Sequence, residues 1–163
     1  MMFSHDGVKD SLTRLAAPPR FYEELHREIA RSNRSGERLS LIRLSLVPEM
    51  ILQGEDREGS ESRYSLVLLN FSETLTRVCR SEDLLVRIGE CEFVTLIRGG
   101  ESVAVRVIER VAAEWLTENE AITRESGTQY LEFTSAYVTA RTHENSLELL
   151  NRLDLQPLIS RGG

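Results

Sequence analysis

Apolar residues recur along the first half of the chain with a period that switches between that of a helix and that of a strand. Apolar side chains at four-residue spacing predict a helix over residues 18–33 that is ended by Ser35-Gly36, and a largely apolar run predicts a buried strand over 39–47. The polar stretch 48–64 carries five acids against two arginines, and we interpret it as a solvated loop of local charge −3. Apolar residues then return at helical spacing, which predicts a second helix over 65–79.

The second half of the chain begins with the pattern of a β-hairpin. Two short apolar runs, 84–88 and 93–97, flank a turn that contains glycine. Helical spacing returns over 101–116, alternation predicts a strand with two different faces over 128–140, and a final short helix is predicted over 146–154. The order helix, strand, helix, hairpin, helix, strand, helix predicts an α+β fold in which helices cover a sheet.

Length and charge narrow the classes of protein that the chain can represent. With 163 residues, 40% of them hydrophobic, residues 1–163 are predicted to form a single domain. The net charge of −6 argues against a nucleic-acid polymer as partner, because affinity for the phosphate backbone depends on clustered cations. The sequence contains neither an apolar run of about 20 residues nor a signal-peptide pattern, so we expect a cytoplasmic protein without membrane insertion.

The sequence offers few candidate metal ligands and many arginines that could bind a nucleotide. Cys79 and Cys91 lie twelve residues apart and the three histidines are scattered, so no metal site of thiolates or imidazoles is expected. In contrast, 19 of the 20 basic residues are arginine. Codon bias explains that excess, and so does the use of planar guanidiniums to bind phosphates or guanines; the composition leaves both explanations open.

The predicted hairpin turn carries the most informative motif. Arg87-Ile88-Gly89-Glu90-Cys91-Glu92-Phe93 resembles the R-[YF]-G-G-[DE]-E-F signature of the GGDEF family, bacterial diguanylate cyclases that join two GTP molecules into cyclic di-GMP. Asp10-Ser11-Leu12-Thr13-Arg14-Leu15 is similar to the D-x-L-T-G-L segment with which that family's domain begins. The resemblance covers about residues 9–155. It implies the palm-like fold of nucleotidyl cyclases, with a mixed central β-sheet flanked by helices.

The same resemblance indicates that the catalytic carboxylates are missing. The two aspartates of the family's first strand fall on Arg43 and Ser45, and the third signature position, a metal ligand in the family, is Cys91. A thiol suits Mg²⁺ poorly, since that ion prefers oxygen ligands. Glu92 keeps the following acid, but one carboxylate does not make a two-metal site.

Substrate binding is affected as well. Glu90 replaces the family's second signature glycine, so a side chain and a negative charge follow Gly89. The family's guanine-binding motifs after the first strand are absent. We therefore predict no catalytic residues, no Mg²⁺ site, no cofactor and no cyclisation of GTP. The segment after Leu155 lacks the family's closing lysine-bearing motif, which predicts an open sheet edge.

A second motif of the family is intact. Arg80-Ser81-Glu82-Asp83 matches the R-x-x-D pair that binds the product in many members, and it stands at the family's distance from the signature. The resemblance adds Arg110 from the following helix, and Arg106 lies one helical turn earlier on the same face. An arginine can donate to guanine O6 and N7, and a carboxylate can accept from guanine N1–H. An exposed ion pair between Arg80 and Asp83 is the structural alternative.

These motifs lead to one functional prediction and two alternatives. We expect a catalytically inactive receptor for cyclic di-GMP that signals to an unidentified protein effector, and the resemblance implies a homodimer in which the partner supplies a further arginine. The first alternative is a pseudoenzyme scaffold that acts through protein contacts and binds no nucleotide. An active diguanylate cyclase ranks third.

Overall fold

The computed structural model describes residues 3–47, 57–126 and 132–161 of the chain. These residues contain four α-helices and five strands. The helices are α1 (Pro18–Ser35), α2 (Arg57–Val78), α3 (Glu101–Ser126) and α4 (Ser146–Leu155). The strands are β1 (Leu39–Leu46), β2 (Leu84–Arg87), β3 (Glu92–Arg98), β4 (Phe133–Thr139) and β5 (Ile159–Arg161). The predicted α+β class is confirmed.

The five strands form one sheet in the order β2-β3-β1-β4-β5, and every neighbouring pair is antiparallel. The prediction of a mixed sheet is therefore wrong. Helix α2 connects β1 to β2 across β3, and helix α3 connects β3 to β4 across β1, as in a split β-α-β arrangement. Because each crossover skips one strand, the parallel strands never become neighbours. A parallel contact remains in the isolated bridge between Ala16 and Val86.

Helices cover both faces of this sheet. Helices α2 and α3 enclose one apolar cluster, in which the fully buried Trp115 packs edge-on against Phe71 with ring centroids 4.9 Å apart. Helices α1 and α4 enclose a second cluster on the opposite face, where Phe21, Leu25 and Leu149 are buried. Apolar surface is buried on each face of the sheet, and each Å² removed from water contributes about 25 cal/mol of stability to the three layers.

The second helix starts earlier than the sequence predicts. Residues 57–64, interpreted as part of the acidic loop, are helical, and α2 therefore begins at Arg57. A polar helical turn lacks the apolar periodicity on which the prediction relied, although Glu and Arg favour helices intrinsically. Tyr64, placed in the loop by that interpretation, is buried in the cluster beneath α2. The rest of the predicted loop, 48–56, lies outside the described residues.

The far edge of the sheet also differs from the prediction. The predicted strand over 128–140 is observed as β4, with residues 128–131 outside the described part of the chain. Strand β5 pairs with the first three residues of β4, so the edge predicted to be open is partly covered. At the other end of β4, Arg152 Nη2 donates to the Thr139 carbonyl at 2.7 Å. Three residues suffice for this pairing, which is why no strand pattern was evident in the sequence.

Two glycines end elements in conformations that other residues rarely adopt. Gly36 terminates α1 with φ 77°, and its N–H donates to the Ser32 carbonyl, as the Ser35–Gly36 stop predicts. Gly99, between β3 and α3, has φ 144°, and a Cβ there would lie 2.7 Å from Val103 Cγ2. The tight passage from β3 into α3 therefore requires glycine.

Candidate functional site

The turn between β2 and β3 is held by the side chain of the residue that precedes it. Arg87 folds back so that Nε and Nη2 both donate to the Glu90 carbonyl, at 3.2 and 2.7 Å. The N–H groups of Ile88 and Gly89 donate to the Glu92 carbonyl across the turn. We call residues 88–91 the signature turn. A Cβ on Gly89 would make only ordinary contacts, so the main chain there does not require glycine.

The same arginine binds the N-terminal segment. Arg87 Nη1 lies 3.2 Å from both carboxylate oxygens of Asp10, and both side chains are buried, with 2% and 0% exposed. Asp10 also accepts from the N–H and hydroxyl of Thr13, and the Arg87 guanidinium lies 5.1 Å from the centre of the Phe3 ring. This Asp10–Arg87 pair joins the two segments that carry the family resemblance, which sequence reasoning treated separately.

Arg43, which the resemblance aligns with the first aspartate of the family's first strand, is ion-paired with side chains of β3 and α4. Arg43 on β1 donates to the Glu92 carboxylate at 2.8 Å, and its other terminal nitrogen lies 3.9 Å from Asp154 of α4. The antiparallel register explains the contact, because Glu92 stands opposite Ser45, two residues along the strand from Arg43. The one acid retained from the signature is therefore neutralised by an internal cation.

The other residues that the resemblance aligns with the family's active site, Ser45, Glu90 and Cys91, differ in their surroundings. The Ser45 hydroxyl is buried and has no hydrogen-bond partner among the described residues. Cys91 instead joins the core beneath α2, where its sulfur lies 2.8 Å from the Tyr64 hydroxyl. Burial raises the pKa of the Cys91 thiol, so the neutral form that binds metals poorly is favoured. The Glu90 side chain is exposed.

Two features are absent from the described residues, 3–47, 57–126 and 132–161. No group of three or more His, Cys, Asp or Glu side chains in these ranges is placed to hold a metal ion. Within the same ranges, no helix is long and apolar enough to cross a membrane.

The four predicted ligand residues line one depression, which lies at the end of the β2–β3 hairpin away from the signature turn. Arg80 and Asp83 come from the turn before β2, and Arg106 and Arg110 come from the outward face of α3. Arg98, at the end of β3, completes the charged rim. The floor is apolar and consists of Val78, Ile97, Val103 and Val107. We call this depression the arginine pocket.

The arginine pocket is shallow and strongly positive. It encloses about 20 Å³, so a nucleotide would lie across the rim and would not sink into the protein. Four arginines and one aspartate give the lining a net charge of +3, whereas the whole chain carries −6. A local cationic surface on an acidic protein attracts small anions while the remaining surface repels extended polyanions.

A tight turn fixes the predicted R-x-x-D pair. The Asp83 N–H donates to the Arg80 carbonyl at 3.1 Å, and the Asp83 carboxylate accepts from the Arg80 N–H at 2.8 Å. The carboxylate thus binds the main chain of Arg80, in contrast to the alternative of a side-chain ion pair, and the Arg80 side chain is exposed. Burial raises the pKa of the Asp83 carboxyl above its usual value, and the adjacent Glu82 raises it further. The hydrogen bond from the Arg80 N–H and the charges of Arg80 and Arg98 lower that pKa, but they do not cancel the increase.

Arg98 is the rim residue that sequence reasoning missed. Its side chain bonds Glu28 of α1 at 3.2 and 3.3 Å and is 44% exposed. The pairing of Leu84 with Leu96 brings the end of β3 beside the turn that precedes β2. Its position just before Gly99-Gly100, at the end of an apolar strand, is the signal that could have placed it at this edge.

Comparison with solved structures identifies the fold. The chain matches the GGDEF domain of DgcB from Caulobacter crescentus, in complex with c-di-GMP, with a TM-score of 0.77 at 20% identity over 93% of this chain and 88% of that one. It matches the GGDEF domain of YfiN (TpbB) from Pseudomonas aeruginosa with a TM-score of 0.74 at 24% identity, covering 90% and 84% of the two chains.

A third structure, the diguanylate cyclase SiaD from Pseudomonas aeruginosa in complex with its activator SiaC, gives a TM-score of 0.75 at 24% identity. This chain is covered to 90% and spans 55% of SiaD. No protein-family model and no curated protein matches. The chain has the fold of GGDEF domains, as the resemblance in the signature turn predicts.

Proposed function

We propose that this chain is a degenerate GGDEF domain that binds cyclic di-GMP at the arginine pocket without producing it, and that a protein partner reads the bound state. One observation carries the proposal: Arg80, Asp83, Arg106 and Arg110, chosen from two separate stretches of sequence, lie around a single depression. The DgcB domain of the same fold is described in complex with c-di-GMP, which supports the choice of ligand.

The chemistry of the arginine pocket suits a guanine dinucleotide. The Arg80 guanidinium can donate to guanine O6 and N7, while the Asp83 carboxylate, held by the turn, can accept from N1–H and the exocyclic amine. Arg106 and Arg110 stand one turn apart on α3 and can neutralise the two phosphodiester charges. The apolar floor can contact the face of a base.

The contacts of Arg43 support the loss of catalysis. Cyclisation needs divalent metals to bring an attacking hydroxyl and an α-phosphate together. Arg43 and Glu92 form an ion pair there, so a metal would have to displace a guanidinium from its carboxylate. Cys91 is turned toward Tyr64. These two contacts support a protein that does not cyclise GTP.

Calorimetric titration with cyclic di-GMP tests the proposal. We expect binding in the micromolar range or tighter, with GTP and cyclic di-AMP as controls. Arg80→Met and Asp83→Asn should each weaken binding by about tenfold or more, since a hydrogen bond to a charged group is worth about 1.5–3 kcal/mol. Arg27→Met is the matched control, because Arg27 is an exposed arginine paired with Glu24 on α1, outside the arginine pocket.

Two results would contradict the receptor. Conversion of GTP into cyclic di-GMP by the purified protein with Mg²⁺ or Mn²⁺ would make it a cyclase. Absence of any binding at high ligand concentration would leave the scaffold. The exposed apolar residues Leu155, Leu158 and Ile159 favour that alternative, because such a patch is suited to protein contacts. Light scattering with and without ligand tests the homodimer that the resemblance implies.

A further inference from the structure

Arg98 belongs to the rim of the arginine pocket and is at the same time bound to helix α1. Its two bonds to the Glu28 carboxylate measure 3.2 and 3.3 Å. These distances exceed the roughly 2.7–2.9 Å typical of charge-assisted hydrogen bonds. Nearly half of the Arg98 side chain, 44%, is exposed, and exposed ion pairs contribute little to stability. The pair is bidentate, but Arg98 stays accessible to a second anion at the rim of the arginine pocket.

Glu28 does not depend on Arg98 for a counter-charge. It also accepts from Arg31 Nε at 3.0 Å, and Arg31 in turn donates to Glu37. Glu28 is the less exposed member of the pair with Arg98, with 19% of its side chain accessible. When Arg98 leaves, the Glu28 carboxylate stays paired with Arg31, so the exchange does not create an unpaired, partly buried charge.

We propose that Arg98 is a further ligand-binding residue, which exchanges Glu28 for a phosphate oxygen when a cyclic dinucleotide occupies the arginine pocket. The inference rests on the proposed function and adds a residue that the R-x-x-D resemblance does not supply. A guanidinium can hold a phosphodiester through two parallel N–H donors. In this structure the Glu28 carboxylate occupies those donors, and a phosphate would take its place. Ligand binding thereby removes a tie between β3 and α1.

This exchange makes ligand affinity depend on a residue outside the arginine pocket. If Glu28 competes with the ligand for Arg98, weakening Glu28 should tighten binding, because coupling between two equilibria is reciprocal. Glu28→Gln keeps the shape of the side chain and removes its charge. We expect this variant to bind cyclic di-GMP about two- to fivefold more tightly, the range given by the worth of an exposed ion pair.

A double-mutant cycle read by calorimetry with cyclic di-GMP tests the assignment. Arg98→Met should weaken binding about tenfold. Glu28→Gln should tighten binding in the wild-type background and have no effect in the Arg98→Met background. Arg27→Met, which also removes a cation paired with a glutamate of α1, should stay within twofold of the wild type.

The outcomes separate this inference from the receptor on which it rests. Binding by Arg98→Met within twofold of the wild type, while Arg80→Met loses binding, would overturn the role of Arg98 and leave the receptor. Equal losses in Arg98→Met and Arg27→Met would reduce the effect to net charge and overturn it as well. An unchanged affinity in Glu28→Gln would overturn the exchange. A wild-type protein that binds no cyclic di-GMP would remove the receptor and, with it, this role of Arg98.

Discussion

The substitution Arg87→Met removes one partner of the Asp10–Arg87 pair while keeping most of the side-chain volume. In the native protein the Arg87 side chain is 2% exposed and the Asp10 side chain is fully buried. The change leaves Asp10 with its bonds to Thr13 but without a counter-charge, and the Glu90 carbonyl loses both donors that hold the signature turn. The perturbation therefore combines an unpaired buried charge with an unsatisfied carbonyl.

We expect the free energy of unfolding to fall by about 3–5 kcal/mol, the cost of removing one member of a buried ion pair. Domains of this size are stable by about 5–15 kcal/mol, so the loss is a large part of the total. In Arg87→Met/Asp10→Asn the charge is absent and an oxygen remains for Thr13. That double variant should recover part of the loss, because the buried carboxylate is the main source of the penalty.

Urea denaturation followed by tryptophan fluorescence measures this change. Trp115 is the only tryptophan of the chain and is fully buried, so its emission reports the unfolding of the core. Arg27→Met is the control, since Arg27 and Glu24 are 69% and 36% exposed and their pair should be worth less than about 1 kcal/mol. A loss below about 1 kcal/mol in Arg87→Met, or no recovery in the double variant, would refute the reasoning.

Three further predictions concern other parts of the chain. Gly99→Ala should lower the free energy of unfolding by about 1–3 kcal/mol because of its positive φ, and a neutral result in urea denaturation would contradict the strain. Burial raises the pKa of Cys79 to about 11 and also raises the pKa of Cys91. A thiol reagent at pH 8 should therefore modify both cysteines slowly until urea unfolds the protein, because the thiolate is the reactive form. Rapid labelling of the native protein would contradict this prediction. The hydrogen bond from Arg152 lowers the pKa of Glu144, so the ion pair stabilises the fold above the usual carboxyl range, and this stabilisation is lost as pH falls through the lowered pKa. Arg152→Met should therefore flatten the loss of stability on the acid side. An unchanged pH profile of stability would contradict this role of the pair.

Local signals explain which elements could be predicted from the sequence. Helix α1 combines prolines at its start, a four-residue apolar spacing and a glycine stop, and it is observed as predicted. The start of α2 was missed because residues 57–64 are polar and lack such spacing. The three-residue strand β5 is too short to show alternation.

The candidate sites show the same limit in three dimensions. The grouping of Arg80 with Asp83 was predictable because both lie in one turn. Arg98 was missed because its place beside that turn depends on the pairing of β2 with β3. The contact between Asp10 and Arg87 joins residues 77 positions apart, and nothing in the spacing of either motif indicates it.

Strand β3 places Glu92 of the signature and Arg98 of the arginine pocket at its opposite ends. Glu92, paired with Arg43, begins the strand and Arg98 ends it, so at about 3.3 Å per residue their backbones lie about 20 Å apart. Effects of substitutions at that separation usually add independently. A lineage can therefore lose the chemistry at one end of the strand without a penalty at the other, and selection can act on the two ends as separate traits.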